Sequence, residues 1–245
     1  LWPSISSTVS ITTEPEGAEV LWKDYDAIDE EWTSIGHTPI VDARLPRGYL
    51  RMEIRKEGYQ TIEYAGPVYG RIGPDIDTLV MDPENGNTKN MARIPGKFAA
   101  MYIVGLEQES GKWVSEFLMD KYEVTNKQFK EFVDADGYGK EEYWNYPIIS
   151  DGQEISLENA LTAFVDKTGR PGPATWEVGT YPNGMGDHPV TGVSWYEAAA
   201  YASFVGKQLP TIFHWGAVAQ TARTEFIVPL SNFNGNSTEP VGKMK

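Results

Sequence analysis

Residues 188–206 read HPVTGVSWYEAAAYASFVG, a stretch that combines a helix start, a helix face and a helix stop. Ser194 and Glu197 stand three residues apart in a capping-box pattern, which marks the N-terminus of a helix. The alanine-rich run that follows forms a stripe of small side chains, so we expect this helix to lie close against a neighbouring element. Gly206 suits the end of the helix, because glycine readily adopts the left-handed conformation of a C-terminal cap.

Helix-start patterns of the same kind occur upstream and downstream of this stretch. Thr125 and Gln128 form a second capping box, and the residues after them give an apolar face at helical spacing. Ser156 and Thr211 are candidate caps of two further helices. Because long Gly/Pro-containing stretches separate these helices, residues 91–245 are predicted to form a loop-rich α+β domain.

The first third of the chain follows a different pattern. Residues 8 to about 82 contain short runs of alternating apolar and polar residues, bounded by Pro and Gly turns, without a helical period. Strands are expected at 8–12, 18–22, 40–43, 49–54, 59–64 and 77–81. This pattern predicts a small antiparallel β-sandwich over residues 1–82, and the polar residues 83–90 are expected to be a linker.

Composition excludes several classes of function. The chain has 245 residues and a formal net charge of -14, which disfavours nucleic acid and anionic membrane surfaces as partners. No apolar run reaches the roughly 20 residues of a membrane helix, so we expect no membrane insertion by this segment. The absence of cysteine removes a disulfide framework, a thiolate metal site and a thiol nucleophile.

The second part of the chain resembles the formylglycine-generating enzyme family, also called sulfatase-modifying factors. The resemblance rests on residues 120–126 (DKYEVTN), on the 188–202 stretch and on residues 206–211 (GKQLPT) followed by Trp215. It implies a variant of the C-type lectin fold. Together with the N-terminal strands, the expected fold class is β plus α+β: a small antiparallel sandwich joined to a loop-rich C-type-lectin-like domain.

Three departures from that family bear on activity. Members that oxidise cysteine to formylglycine hold copper with a cysteine pair, and this chain has none. The family's Leu-Pro-Thr-Glu-x-Glu-Trp segment reads LPTIFHW at 209–215, without either acid. The family's later core strands are missing before Lys245, so we expect a C-terminally incomplete domain. From these departures we predict no catalytic residue and no cofactor in this chain, with calcium as the one candidate.

The first part resembles the PEGA domain. Its namesake tetrapeptide stands at Pro15-Glu16-Gly17-Ala18, and residues 36–39 (GHTP) and 56–59 (KEGY) also match its pattern. The resemblance implies a small β-sandwich found in extracytoplasmic parts of bacterial proteins, with no catalysis attached. In the subgroup that this chain resembles, the two domains often follow a transmembrane Ser/Thr kinase.

These resemblances lead to three hypotheses of function. The first is a non-catalytic, extracytoplasmic binding or sensing module, periplasmic or at the cell surface and tethered to the membrane within a larger protein. The second is a formylglycine-generating oxidase whose catalytic part lies beyond Lys245, and the third is a structural component of a surface assembly. The ligand of the first would be a protein, a peptide or a glycan.

A ligand site is expected on the loops between about 138 and 190. The candidate contact residues are Tyr143, Trp144, Arg170, Trp176 and Tyr181, with Tyr146 among the same loop aromatics. Exposed aromatic side chains contribute contact area at low entropy cost, and arginine suits a carboxylate or sulfate group. The alternative is that the aromatics pack beneath the loops. Trp195 and Trp215 lie in family motifs and are expected in the core.

A calcium site is the one metal prediction. Asn232 and the Phe233 carbonyl resemble part of a calcium site in the family, but the segment that supplies the remaining ligands there has no counterpart here. Calcium takes six or more oxygen ligands, so these two residues alone do not complete a site. His37, His188 and His214 are too scattered for a zinc or iron triad.

Overall fold

The computed structural model describes residues 2–68, 78–100, 105, 110–219, 224–233 and 235–244. These residues form two compact units. Unit 1 comprises the described residues up to Lys121 together with Ile212–Ser231, and unit 2 comprises Tyr122–Thr211 and Asn232–Met244. The helices and strands are numbered below in chain order.

The described strands are short. They are β1 (Ser6–Ile11), β2 (Thr13–Glu14), β3 (Glu19–Asp24), β4 (Thr33–His37), β5 (Ile40–Pro46), β6 (Tyr49–Arg55), β7 (Ile62–Pro67), β8 (Leu79–Val80), β9 (Met91–Ile94), β10 (Lys97–Ala99), β11 (Lys112–Val114), β12 (Phe117–Asp120), β13 (Ile148–Ser150) and β14 (Gln153–Ile155). The α-helices are α1 (Trp2–Ile5), α2 (Asn126–Asp134), α3 (Leu157–Leu161), α4 (Trp195–Phe204), α5 (Ile212–Ala219) and α6 (Thr224–Ile227), with 3-10 turns at Glu141–Tyr143 and Val228–Leu230.

Unit 1 is built mainly from antiparallel pairs around one main core, with β2 and β8 as a short parallel pair. Its largest sheet has four strands in the order β4-β3-β6-β7, and β1 pairs with β5 in a separate two-stranded sheet. In β6, Leu50, Met52 and Ile54 are each 1% exposed, which is the period-two burial of a strand with one face in a core. Val9 and Ile11 of β1 belong to the same core, so the two sheets share it.

The turn at the PEGA-like tetrapeptide is fixed by backbone bonds. Gly17 has φ +82°, a conformation that favours glycine, and its amide donates to the Thr38 carbonyl at 2.9 Å. The Ala18 amide donates to the Thr38 hydroxyl at 3.0 Å, and Ala18 itself is fully buried. The turn predicted from the tetrapeptide therefore places Ala18 in the core.

Several strand predictions need adjustment. The strand expected at 59–64 lies at Ile62–Pro67, and Thr33–His37 forms a strand that the local pattern did not predict. Thr33–His37 is extended because it pairs with β3, which is a tertiary effect. Residues 102–104, whose sequence Tyr-Ile-Val also favours a strand, lie outside the described residues, as does residue 77 of the strand expected at 77–81.

The segment predicted as a linker lies within unit 1 and is hydrogen-bonded to its residues 58–60. The Glu84 amide donates to the Gly58 carbonyl at 3.0 Å, and Gln60 Nε2 donates to the Thr88 hydroxyl at 2.8 Å. Next to it, Arg93 forms a two-point ion pair with Asp82. The division into 1–82, 83–90 and 91–245 stays a prediction from the sequence.

Unit 2 confirms the predicted helix starts. Thr125 caps α2 and Ser194 caps α4, each in a complete capping box, and the Ser156 hydroxyl accepts the Asn159 amide at the start of α3. Glu197 is 3% exposed, and besides capping α4 it binds Tyr138, whose hydroxyl donates to Glu197 Oε1 at 2.6 Å. Burial and the neighbouring carboxylate raise the pKa of Tyr138 far above its ordinary value.

Tight packing after α2 requires a glycine. A β-carbon at Gly137 would lie 2.1 Å from the Phe132 ring, so only glycine lets the chain turn over that ring. Phe132 is fully buried and lies at the centre of an aromatic core that includes Phe129, Trp176 and Tyr201. The observed architecture is thus mixed β and α+β with small antiparallel sheets, in agreement with the predicted class at that level.

Asn126 connects three segments of unit 2. Its Nδ2 lies 2.9 Å from the Met185 carbonyl, 3.2 Å from the His188 carbonyl and 3.4 Å from the Pro189 carbonyl. Its Oδ1 accepts Trp176 Nε1 at 2.9 Å, and the residue is 6% exposed. One amide side chain therefore fixes the start of α2, the 185–189 loop and the buried indole.

We expect Asn126→Ala to destabilise the protein by about 3 kcal/mol, because a buried group left without a partner costs about 1–3 kcal/mol. Urea unfolding followed by circular dichroism measures the change. Asn145→Ala is the matched control: its exposed amide donates to the Ser203 hydroxyl at 3.0 Å, and the loss should stay below about 0.5 kcal/mol. Equal losses in both variants would contradict the role of Asn126.

Candidate functional site

Trp176 does not line a surface site. It is fully buried, and its indole nitrogen is bonded to Asn126. Its ring packs edge-on against Phe129 and Tyr181, with centroid distances of 6.2 Å and 5.5 Å. The prediction that Trp176 contacts a ligand is corrected on this ground: no ligand at the surface reaches a side chain with no exposed area. Tyr181, half-buried against this ring, braces the same loop.

Tyr143 and Trp144 also pack against the aromatic core. Trp144 stacks on Phe164 with the ring centroids 5.7 Å apart, and its Nε1 donates to the Gly137 carbonyl at 3.1 Å. Tyr143 lies 5.5 Å from Phe204 in an edge-to-face contact. Both side chains are half-buried, and they fix the loop that carries them.

Arg170 is exposed and belongs to a separate loop. Its Nη1 donates to the Val178 carbonyl at 3.2 Å. Val178 has φ +54° and Gly179 has φ +71°, and Glu177 and Thr180 pair across them, so the segment is a tight two-residue hairpin turn. A β-branched residue with positive φ is strained, and the contact from Arg170 helps to hold it.

The buried Asp166 carboxylate holds this loop by accepting hydrogen bonds from it. It is 4% exposed, and its carboxylate accepts the Gly179 amide at 2.6 Å, the Thr168 amide and hydroxyl at 2.7 Å each, and the Arg170 amide at 3.1 Å. Burial opposes the charged form, but these hydrogen bonds outweigh it, so the pKa of Asp166 lies well below its usual range. The carboxylate acts as a structural anion.

The structure exposes a different set of aromatic groups. Tyr146 is 50% exposed and Trp195 is 54% exposed, with their ring centroids 4.9 Å apart and the planes at 71°. Two further residues adjoin this pair. Tyr196 follows Trp195 in α4, and its hydroxyl accepts the backbone amide of Ile149, a residue that is 47% exposed, at 2.9 Å. We call Tyr146, Ile149, Trp195 and Tyr196 the aromatic patch.

The aromatic patch is anchored to the core. Tyr196 contacts Trp195 edge-on at 5.5 Å and lies 6.4 Å from Phe164, which stacks on Trp144. A continuous series of rings therefore leads from the buried cluster to the surface. The exposed rings are held in place before any partner binds, which reduces the entropy cost of binding.

Sequence reasoning placed Trp195 in the core, and this prediction is wrong. Trp195 is the first residue of α4, and at 3.6 residues per turn it lies opposite the face that carries Glu197, Ala200 and Phe204. That geometry was present in the sequence once the capping box fixed the helix start. Trp215, also expected in the core, is 46% exposed.

The residues proposed for calcium lie near the end of unit 2. The Asn232 side-chain amide donates to the Ser237 carbonyl at 2.8 Å, and Phe233 is 77% exposed. Across the described residues, no three or more His, Cys, Asp or Glu side chains come together as a metal site. Calcium at Asn232 and Phe233 stays a prediction.

Comparison with known proteins identifies the family. The profile of the sulfatase-modifying factor enzyme 1-like domain matches residues 77–239, which is more than half of the chain. The chain belongs to this family. Its capped α2 and α4, the Asn126 contacts and the buried Trp176 all lie within the matched range.

Relatives in the family differ in activity. A formylglycine-generating enzyme of Thermomonospora curvata is 33% identical over 53% of this chain and 44% of its own length. The serine/threonine-protein kinase pkn1 of Chlamydia caviae is 30% identical over 53% of this chain and 19% of its own. The inactive C-alpha-formylglycine-generating enzyme 2 of Bos taurus is 29% identical over 63% of this chain and 56% of its own. The chain thus spans about half of these proteins or less.

The donor atoms present do not fit the copper site that the family resemblance implies. The chain has no cysteine, and the described residues hold no cluster of three or more His, Asp or Glu side chains suited to a metal.

The described helices include none that is both long enough and apolar enough to cross a bilayer.

We expect Trp176→Ala to cost about 3–5 kcal/mol of stability, as large-to-small changes of buried aromatics do. Trp195→Ala should cost less than about 1 kcal/mol, because half of the side chain is already in water. Urea unfolding of the two variants measures both values. Similar losses would mean that Trp195 is a packing residue rather than part of an available surface.

The pKa of Asp166 gives a pH prediction. Its folded pKa lies below the ordinary value of about 3.9, so the unfolded chain binds the proton first and stability is lost as the pH falls. Asp166→Asn should be less stable by about 2 kcal/mol at neutral pH, since hydrogen bonds to a charged group contribute about 1.5–3 kcal/mol. The difference should stay constant between about pH 7 and pH 5 and shrink as the pH falls below about 5 toward the folded pKa.

Unfolding curves across that pH range test this expectation. Asp151→Asn is the matched control, because Asp151 is exposed at a turn with φ +50°, a conformation that asparagine also adopts. The control should differ little from the wild type at every pH. A gap between wild type and Asp166→Asn that stays constant with pH would contradict the assignment.

Proposed function

We propose that this chain is a non-catalytic binding and sensing module on a sulfatase-modifying-factor scaffold. It would be the extracytoplasmic part of a larger membrane protein such as a transmembrane Ser/Thr kinase. The observation that carries the proposal is a family scaffold without a single cysteine that presents a pre-arranged aromatic patch at its surface. Such a scaffold positions contact groups, whereas the chemistry of the oxidising members requires thiolates.

Two of the relatives support this proposal. The relative from Chlamydia caviae is named a Ser/Thr kinase, and the matched part of this chain covers 19% of it. The relative from Bos taurus is named inactive, so the scaffold also occurs in a protein described without activity. A binding domain in the same chain as a kinase could detect a ligand and so control the kinase.

The N-terminal strands fit the same proposal. We assign residues 1–82 to a PEGA-like sandwich that acts as a spacer or mount for the binding domain. The shared core of the four-stranded and two-stranded sheets and the fixed turn at Gly17 and Ala18 support the assignment. The extracytoplasmic location rests on this PEGA resemblance.

The ligand surface is proposed to be the aromatic patch, with Arg170 as a separate exposed donor. Tyr143, Trp144 and Tyr181 serve this surface indirectly, since they hold the loops in place. Aromatic side chains dominate binding energy where a few exposed residues contact a partner. The partner class proposed here is a protein, peptide or glycan.

Absence of oxidase activity is tested directly. We expect no aldehyde when the chain is incubated with copper and a cysteine peptide carrying the sulfatase motif, because no thiolate pair is present to hold the metal. Mass spectrometry of the peptide measures the product. An active relative such as the Thermomonospora curvata enzyme serves as positive control. Turnover above a blank without protein would refute a non-catalytic role.

Binding is tested on peptide and glycan arrays. The wild type is compared with a double variant, Tyr146→Ala with Trp195→Ala, after both are shown to have the same melting temperature. Signals that disappear in the double variant support the proposal. If no array signal depends on the patch, the binding function assigned to this surface fails.

A further inference from the structure

The stretch of chain that carries Tyr146 and Ile149 of the aromatic patch is acidic. Between residues 136 and 160 the chain has six carboxylate side chains and one lysine. Glu154, one of the six, stands directly opposite Ile149 in the antiparallel pair of β13 and β14. Residues directly opposite in an antiparallel pair lie on the same face of the sheet. Glu154 therefore shares a face with a member of the patch.

We propose that the aromatic patch binds a cationic polypeptide segment and places an arginine of that segment against Trp195. The inference rests on the proposed binding function and names the chemistry of its partner. A guanidinium group stacks on the face of tryptophan or tyrosine, and it is attracted by nearby carboxylates. The patch offers both rings and a neighbouring carboxylate.

The arrangement of the rings favours arginine over lysine. Trp195 and Tyr146 meet at 71°, so an edge of one ring meets a face of the other and half of each side chain remains in contact with solvent. A planar, weakly hydrated guanidinium covers such an exposed ring face with little desolvation cost. The ammonium group of lysine is compact and strongly hydrated, so it gains less from the same contact.

Charge disfavours the other occupants of this surface. A second copy of the chain would bring a net charge of -14 against another of the same sign, and like charges across an interface oppose association. Nucleic acid and anionic lipid are disfavoured for the same reason. A basic segment is the partner whose charge complements both the patch and the chain.

The chain provides an internal control for stacking of arginine on any exposed tryptophan. Trp113 is 70% exposed in unit 1, on the antiparallel pair of β10 and β11 and next to Lys112. Lys112 and Lys97 lie on that pair, and Lys97 donates to the Ala217 carbonyl at 3.0 Å. Because two lysines lie on this strand pair, we expect an arginine peptide to bind Trp195 in preference to Trp113.

The test uses the full chain and three capped hexapeptides: hexa-arginine, hexa-lysine and an uncharged Gly-Ser peptide. Calorimetric titration at low salt should give the order arginine, lysine, Gly-Ser. Trp195→Ala should weaken arginine binding about tenfold, Tyr146→Ala and Glu154→Gln severalfold, and Trp113→Ala not at all. Affinity should fall with added salt, since the carboxylate contribution is screened.

A further variant separates stacking from general apolar contact. Trp195→Leu keeps an apolar side chain but removes the ring, so it should weaken arginine binding nearly as much as Trp195→Ala. Full affinity in Trp195→Leu, equal affinity for arginine and Gly-Ser peptides, or equal loss in Trp113→Ala would each overturn the inference. If the arrays show patch-dependent ligands that are not basic, the binding function stands and only the arginine assignment fails.

Discussion

The side chain of Asn126 holds together the part of the protein that belongs to the family. Its Oδ1 accepts a hydrogen bond from Trp176 Nε1, and its Nδ2 donates to carbonyls of the 185–189 loop. The backbone amide of Asn126 also donates to the His188 carbonyl at 2.9 Å. A buried amide that satisfies several backbone groups is hard to replace, because each lost partner leaves a desolvated polar atom. The capped start of α2, the buried indole and the loop before α4 are all positioned by this one residue.

Buried carboxylates in unit 2 have structural partners. Glu197 accepts the Ser194 amide and the Tyr138 hydroxyl, and Asp166 accepts four donors from its own loop. A general acid or base needs a carboxylate with room for a substrate proton, and these two are saturated by protein groups. Both carboxylates therefore act as structural groups of the scaffold.

Aromatic residues divide into two groups with different roles. Phe129, Phe132 and Trp176 form the interior, whereas Tyr146 and Trp195 reach solvent from the same network of rings. The interior group holds the outer group in position through Phe164 and its neighbours. A surface whose contact groups are fixed in advance suits recognition of a partner without a conformational change.

The sequence by itself determined the features that depend on residues close together in the chain. Capping boxes join positions i and i+3, so the starts of α2 and α4 were readable from Thr125 and Ser194, and the turn at Gly17 followed from local glycine chemistry. The family was readable too, because its motifs are contiguous. The fold class could therefore be predicted to the level of small sheets joined to an α+β part.

Only the tertiary structure decided that Trp176 is buried. Trp176 was expected on an exposed loop and Trp195 in the core, yet Trp176 meets Asn126 in the core and Trp195 emerges from the outer face of α4. Burial depends on contacts between residues about 50 positions apart, as between Trp176 and Asn126, and composition or spacing does not encode such contacts locally. For the same reason β4 appears only when β3 pairs with it, and the candidate site moved from Trp176 to Trp195.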